Sequence, residues 1–196
     1  MNIAVVGLGF VGLSISSVLA SKNYNVVGID IDNQKCSDIR NGVLPLFEPG
    51  LENTLRVGLK KKLTISNNFS LIKNCDMIFV TVGTPQKSNG AIELSMIKKA
   101  TTTIGQIIRK SKKNPIIFIK STVVPGTAQN VILPILEKKS GKKANRGFGI
   151  ISNPEFLQES NAIRDTKYPH AIVLGGKQSK YMKKAKMFFS KMHPNV

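Results

Sequence analysis

At 196 residues and 41% hydrophobic content, the chain is long enough for one well-packed domain of the α/β kind. No apolar run approaches the ~20 residues that span a bilayer, and Met1-Asn2 leads into apolar residues without the basic start of a signal peptide, so a cytoplasmic protein without a membrane partner is expected. Lys and Arg number 29 against 11 Asp and Glu, a formal charge of +18, but the basic clusters fall on separate helix ends and loops and only 6% of residues are aromatic, which argues for solvated surface and against a nucleic-acid partner.

Residues 2–6 (Asn2-Ile3-Ala4-Val5-Val6) are apolar and β-branched, as a buried parallel strand requires. They run into Gly7-Leu8-Gly9-Phe10-Val11-Gly12 and then a helix over residues 10–22. In this pattern Gly7 permits a tight turn and Gly9 lets backbone approach a pyrophosphate. Gly12 lets the helix pack close, with its free N–H groups facing phosphate charge. A second strand, 25–30, ends in Asp30, 18 residues past Gly12, where a carboxylate can accept both ribose hydroxyls of an adenosine. An acid there repels a 2′-phosphate, so the expected cofactor is NAD and not NADP.

A helix over 32–41 follows, then a loop over 42–51, where two prolines and two glycines forbid a regular element. A helix over 51–61 and a short strand at 63–66 come next. The run Asp76-Met77-Ile78-Phe79-Val80-Thr81-Val82 is the strongest strand signal and ends in Gly83-Thr84-Pro85. Residues 94–110 read as a helix and 115–120 as the next buried strand, which ends in Ser121-Thr122-Val123-Val124-Pro125-Gly126-Thr127. A helix over 127–139 follows, and a strand at 147–151 leads into Ser152-Asn153-Pro154-Glu155. A last strand is expected at 171–174, before Gly175-Gly176, and a basic helix over 178–191.

This alternation predicts an α/β fold, a Rossmann-like doubly wound, mostly parallel sheet with helices on both faces. Four strands end in turns rich in small and polar residues. Ligands of such sheets bind outside the carboxyl ends of the strands, so a cofactor site and a substrate site are expected on that edge. Cys36 and Cys75 show no CxxC or Cys/His ligand spacing, so no metal is expected and both read as small apolar fillers of a reduced chain.

The glycine motif at 7–12, Glu48-Pro49-Gly50-Leu51, Thr81-Val82-Gly83-Thr84-Pro85, Lys120-Ser121-Thr122-Val123-Val124-Pro125-Gly126-Thr127 and Asn153-Pro154-Glu155-Phe156-Leu157 occur in that order. Together they resemble the NAD-dependent nucleotide-sugar 6-dehydrogenases. The resemblance implies oxidation of a primary alcohol, C6 of the sugar, to a carboxylate through two hydride transfers to two NAD molecules. It favours UDP-glucose as substrate, giving UDP-glucuronate. GDP-mannose, a UDP-N-acetylhexosamine, or a free-standing NAD-binding module without catalysis are the alternatives.

Cofactor contacts are implied for Gly7, Gly9, Phe10, Val11, Gly12, Asp30, Lys35, Gly83, Thr84, Pro85, Ser121, Thr122 and Glu159. Thr122 matches a threonine that positions a water or stabilises a developing oxyanion. Glu155 matches a carboxylate with a general acid/base role, and Glu159 a residue touching both cofactor and substrate. Glu155, Phe156, Leu157 and Glu159 are implied to line the UDP-sugar. The family's nucleophilic cysteine, with an assisting lysine and asparagine, belongs to a later helix and a second domain, and no such motif occurs here. The resemblance therefore implies an N-terminal NAD-binding domain, residues 1–196, of a longer homodimeric enzyme, inactive alone. At Pro169-His170-Ala171 the sequence departs from the family, where Asp-Arg commonly follows the proline; this bears on substrate contact and not on the fold.

Overall fold

Strand β1 (Asn2–Val6) pairs in parallel with β2 (Asn25–Ile29) on one side and with β4 (Met77–Val80) on the other, in a computed structural model that describes residues 1–196. Strand β3 (Leu63–Ser66) extends the sheet beyond β2, and β5 (Ile116–Ile119) and β6 (Gly149–Ser152) extend it beyond β4. The order is β3-β2-β1-β4-β5-β6 with every pair parallel, the doubly wound arrangement predicted from the alternation.

Parallel strands covered on both faces are continuously apolar, and β4 and β5 are buried at every residue. Successive side chains enter two different cores. Val5, Phe79 and Phe118 lie in one, which α1 (Phe10–Ser21), α3 (Leu51–Lys61) and α7 (Lys180–Met192) cover. Ala4, Ile78 and Ile117 lie in the other, under α4 (Ser95–Arg109) and α5 (Leu133–Ser140). On the first face the rings of Phe79 and Phe118 stack with centroids 4.6 Å apart, and Phe189 of α7 meets Phe118 edge-on at 5.6 Å. Each such pair adds ~0.5–1.5 kcal/mol beyond the area it buries, which fixes the basic helix α7 to the sheet.

The strand expected at 171–174 does not form. Only Gly175 pairs with Ser152, each donating its N–H to the other's carbonyl at 2.8 Å. Continuing that antiparallel pairing would set Pro154, which has no N–H, against Val173. The Val173 carbonyl instead accepts a bond from the Asn153 side-chain amide at 2.9 Å. The helix expected over 127–139 also differs. It opens as a π turn, Ala128–Ile132, and becomes regular only in α5, whose first turn holds Pro134. A proline there cannot donate back into the preceding turn, and a widened turn accommodates its ring. Two short elements carry no sequence signal, a 3₁₀ turn at Phe69–Asn74 and the one-and-a-half-turn helix α6 (Ala162–Lys167).

Candidate active site at the carboxyl edge of the sheet

The chain leaves β1 through Gly7, whose φ is +98° and whose added Cβ would lie 2.8 Å from the Val82 nitrogen. Gly12 packs beneath it, where a Cβ would come within 1.8 Å of the Gly7 carbonyl oxygen and 2.6 Å of Thr81 Oγ1. Gly9 is different: nothing lies within 4 Å of its missing Cβ, so its backbone faces open space. No side chain caps α1, which leaves the amides of its first turn to whatever enters that space.

Asp30 follows β2 and is only 7% exposed. Its Oδ2 accepts the Leu8 N–H at 2.8 Å and the Lys35 ammonium at 3.2 Å, while Oδ1 accepts the Asp32 N–H at 3.1 Å. Each carboxylate oxygen can accept about two hydrogen bonds, so Oδ1 keeps capacity for a further donor. Lys35 is in place because Asp32 caps the helix α2 (Asn33–Arg40), accepting the Lys35 N–H at 3.0 Å.

A hollow of about 800 Å³ runs along this edge. Of the residues singled out in the sequence, Gly7, Gly9, Phe10, Val11, Asp30, Lys35, Gly83, Thr84, Ser121, Thr122 and Glu155 line it. Gly12 lies behind the turn, and Pro85 and Glu159 are exposed outside the hollow. Phe156 and Leu157 line a smaller cavity of about 70 Å³ that shares Lys120 and Glu155 with the first. The strand-end turns are tied to one another. Ser121 Oγ donates to the Val82 carbonyl at 2.6 Å, and Thr84 Oγ1 donates to the Thr122 carbonyl at 2.6 Å, while the Thr122 side chain is exposed. Glu155 Oε2 accepts the N–H of Leu157 at 2.5 Å.

Sequence reasoning gave no role to Lys120. It follows β5 on the face of Ile116 and Phe118, and its Nζ donates to Asn153 Oδ1 at 3.4 Å. Burial pushes its pKa down to about 8, with the Glu155 carboxylate pulling the other way. A single lysine ending an otherwise apolar run was the available signal. Met96, Lys99 and Thr103 of α4 also line the hollow. Their three-then-four spacing places them on one helical stripe, a pattern visible in the sequence once the carboxyl edge is known to hold the site.

The arrangement puts an acid at one end of the hollow and open helix amides beside it. A hydroxyl, a carboxylate and an ammonium lie toward the other end. Such a set can hold a dinucleotide and move a proton beside it.

The family model for the UDP-glucose/GDP-mannose dehydrogenase family, NAD binding domain, matches residues 1–193. The chain belongs to this family. Its cofactor is NAD, in keeping with the bare Gly9 backbone and the acid after β2. Within the family, GDP-mannose 6-dehydrogenase of Pseudomonas syringae pv. tomato is 44% identical over 177 residues, which are 89% of this chain and 40% of that protein. UDP-glucose 6-dehydrogenase of Haloferax volcanii is 34% identical over 175 residues, 89% of this chain and 41% of that protein. Among solved structures, a ternary complex of GDP-mannose dehydrogenase from Pseudomonas aeruginosa superposes with a TM-score of 0.93 at 35% identity, over 100% of this chain and 44% of that one. The chain thus spans about two fifths of the length of the curated relatives it matches. No helix in it is long and apolar enough to cross a membrane.

Proposed function

We propose that residues 1–196 form the NAD-binding domain of a nucleotide-sugar 6-dehydrogenase and supply part of its catalytic site, with the nucleophilic cysteine in a second domain. The observation that carries this is a single hollow bounded by Asp30 at one end and by Thr122 and Glu155 at the other. Asp30 Oδ1 accepts a ribose hydroxyl of the adenosine half, Lys35 offsets charge beside it, and the first amides of α1 face the pyrophosphate. Bound NAD supplies a hydride acceptor.

The Thr122 hydroxyl donates to the oxygen on which charge develops at the sugar C6. Glu155 takes the proton from the oxygen on C6 as the hydride leaves that carbon. Its Oε2 is held by the Leu157 N–H, which leaves Oε1 as the oxygen that takes the proton. Lys120 sits beside Glu155 and offsets its charge. Phe156 and Leu157 line the sugar nucleotide, and Glu159 contributes from the exposed turn beside them. The full-length enzyme is a cytoplasmic homodimer in this proposal.

The sequence motifs favour UDP-glucose as the substrate, whereas the relative at 44% identity is named for GDP-mannose and the one at 34% for UDP-glucose. GDP-mannose is therefore our first substrate and UDP-glucose the second. The test is NADH formation by the full-length enzyme with each sugar nucleotide. Two NADH per GDP-mannose, with little from UDP-glucose, supports the first assignment. The reverse preference moves the substrate to UDP-glucose, and no NADH from either of these or from a UDP-N-acetylhexosamine defeats the dehydrogenase proposal.

A further inference from the structure

Glu48 is 3% exposed, yet it makes no ion pair with any lysine or arginine. Burying a carboxylate is costly unless hydrogen bonds replace its water. Here backbone amides from far along the chain replace it. Glu48 Oε2 accepts the Ser160 N–H at 3.1 Å, and Oε1 accepts the Ala162 N–H at 2.8 Å, across 112 and 114 residues of sequence. Two residues beyond Glu48, the missing Cβ of Gly50 would lie 3.7 Å from Ile163 Cγ2, so the two segments also pack.

What Glu48 holds is the far end of the stretch that carries Glu155, Phe156, Leu157 and Glu159. Ser160 has a φ of +67°, a left-handed conformation that a non-glycine residue adopts at a cost. Nearer Glu155 the same stretch is tied by the Gln158 N–H, which donates to Asp165 Oδ2 at 3.0 Å. Replacing the carboxylate at position 48 by an amide would keep an acceptor for only one of the two N–H groups and set an NH2 donor against the other, loosening the strained corner from α3 and the 42–51 loop.

We propose that Glu48 is a positioning residue, which sets the geometry of residues 155–161 toward the sugar nucleotide while leaving the cofactor end of the hollow untouched. This rests on the role given to that stretch under the proposed function. Glu48 touches neither hollow, so it acts only through the amides it holds.

The variants are Glu48→Gln, which removes the charge, and Glu48→Asp, which keeps it on a shorter arm and serves if the first fails to fold. Amide hydrogen exchange on the 196-residue chain is read first. Glu48→Gln is expected to speed exchange across 157–162 by about tenfold or more relative to β1 and β4, with less effect in Glu48→Asp and NAD affinity held within about twofold. Exchange across 157–162 that is unchanged, or that rises only in step with β1 and β4, overturns the proposal.

In the full-length enzyme, Glu48→Gln is expected to raise KM for the sugar nucleotide about tenfold while KM for NAD stays put. Equal losses for both ligands contradict a role confined to the sugar end. If the unaltered enzyme oxidises no sugar nucleotide, the proposed function fails while the exchange pattern still decides whether Glu48 holds the loop.

Discussion

The ammonium of Lys120 lies 3.4 Å from Asn153 Oδ1, at the carboxyl ends of the neighbouring strands β5 and β6. A cation is thereby held between the two cavities, where burial lowers its pKa to about 8. The unfolded lysine titrates near ~10.4, so between these values the unfolded chain binds more protons than the folded one. Stability therefore rises with pH across that window, and below it the full cost of burying the charge stands. Lys120→Met is expected to be more stable than the natural protein by about 1–3 kcal/mol near pH 7, with the gain fading toward pH ~10. Denaturant unfolding at both pH values checks this. A variant less stable at both would make the Asn153 bond worth more than the burial costs.

Two glycines of one motif should respond to alanine in opposite ways. At Gly12 a Cβ would meet the Gly7 carbonyl oxygen at 1.8 Å and force α1 away from the turn. Overpacking of this kind costs ~1–3 kcal/mol or more, so Gly12→Ala is expected to lower the melting temperature and weaken NAD binding together. At Gly9 a Cβ meets nothing. Gly9→Ala should keep the melting temperature within a degree or two, about the effect of a harmless surface change, and still lose NAD affinity by occupying the open approach. Thermal melts and NAD titrations on the two variants separate these outcomes.

Asp76 ties β1 to the connection between α4 and β5. Its Oδ2 accepts the Asn2 N–H at 2.9 Å and its Oδ1 accepts the Lys113 ammonium at 2.6 Å. Burial alone would raise its pKa, but the bonds from Lys113 and Asn2 outweigh that and hold the carboxyl below its ordinary value. A lowered carboxylate pKa stabilises the fold above the unfolded pKa of ~3.9, and the contribution is lost as pH falls through the folded value. Asp76→Asn is expected to lower the urea midpoint near pH ~6 and to match the natural protein once both are below the folded value. A midpoint difference that persists at low pH would show that the charge is not responsible.

Most of the fold was legible because its strands are short, apolar runs bounded by glycine, proline and hydroxyl residues. The strand at Leu63–Ser66 and the helix at Leu51–Lys61 fall where periodicity places them. The missing strand at 171–174 was not legible, because its pairing is cancelled by Pro154, on a different segment. The site was legible where backbone demands a residue type, as at Gly7, Gly12 and Asp30. It was less so where roles depend on tertiary contacts. Glu48 stood within a recognisable motif, but its partners at 160 and 162 are fixed only once α6 packs on the 48–51 segment. Lys120 likewise looks like an ordinary lysine until both cavities close around it.

In the proposed function Asp30 is the residue that selects NAD over NADP. Because Asp30 also accepts the Leu8 N–H at 2.8 Å, Asp30→Ala would loosen the glycine turn itself, and Asp30→Asn, which keeps an acceptor there, is the better variant. The decisive measurement is the ratio of NAD to NADP affinity of the 196-residue chain, by calorimetric titration, for the natural protein and for Asp30→Asn. The natural protein is expected to prefer NAD at least tenfold, corresponding to about 1.4 kcal/mol, and Asp30→Asn to lose most of that preference. Equal affinity for NAD and NADP in the natural protein, or a preference that survives Asp30→Asn, would contradict the assignment.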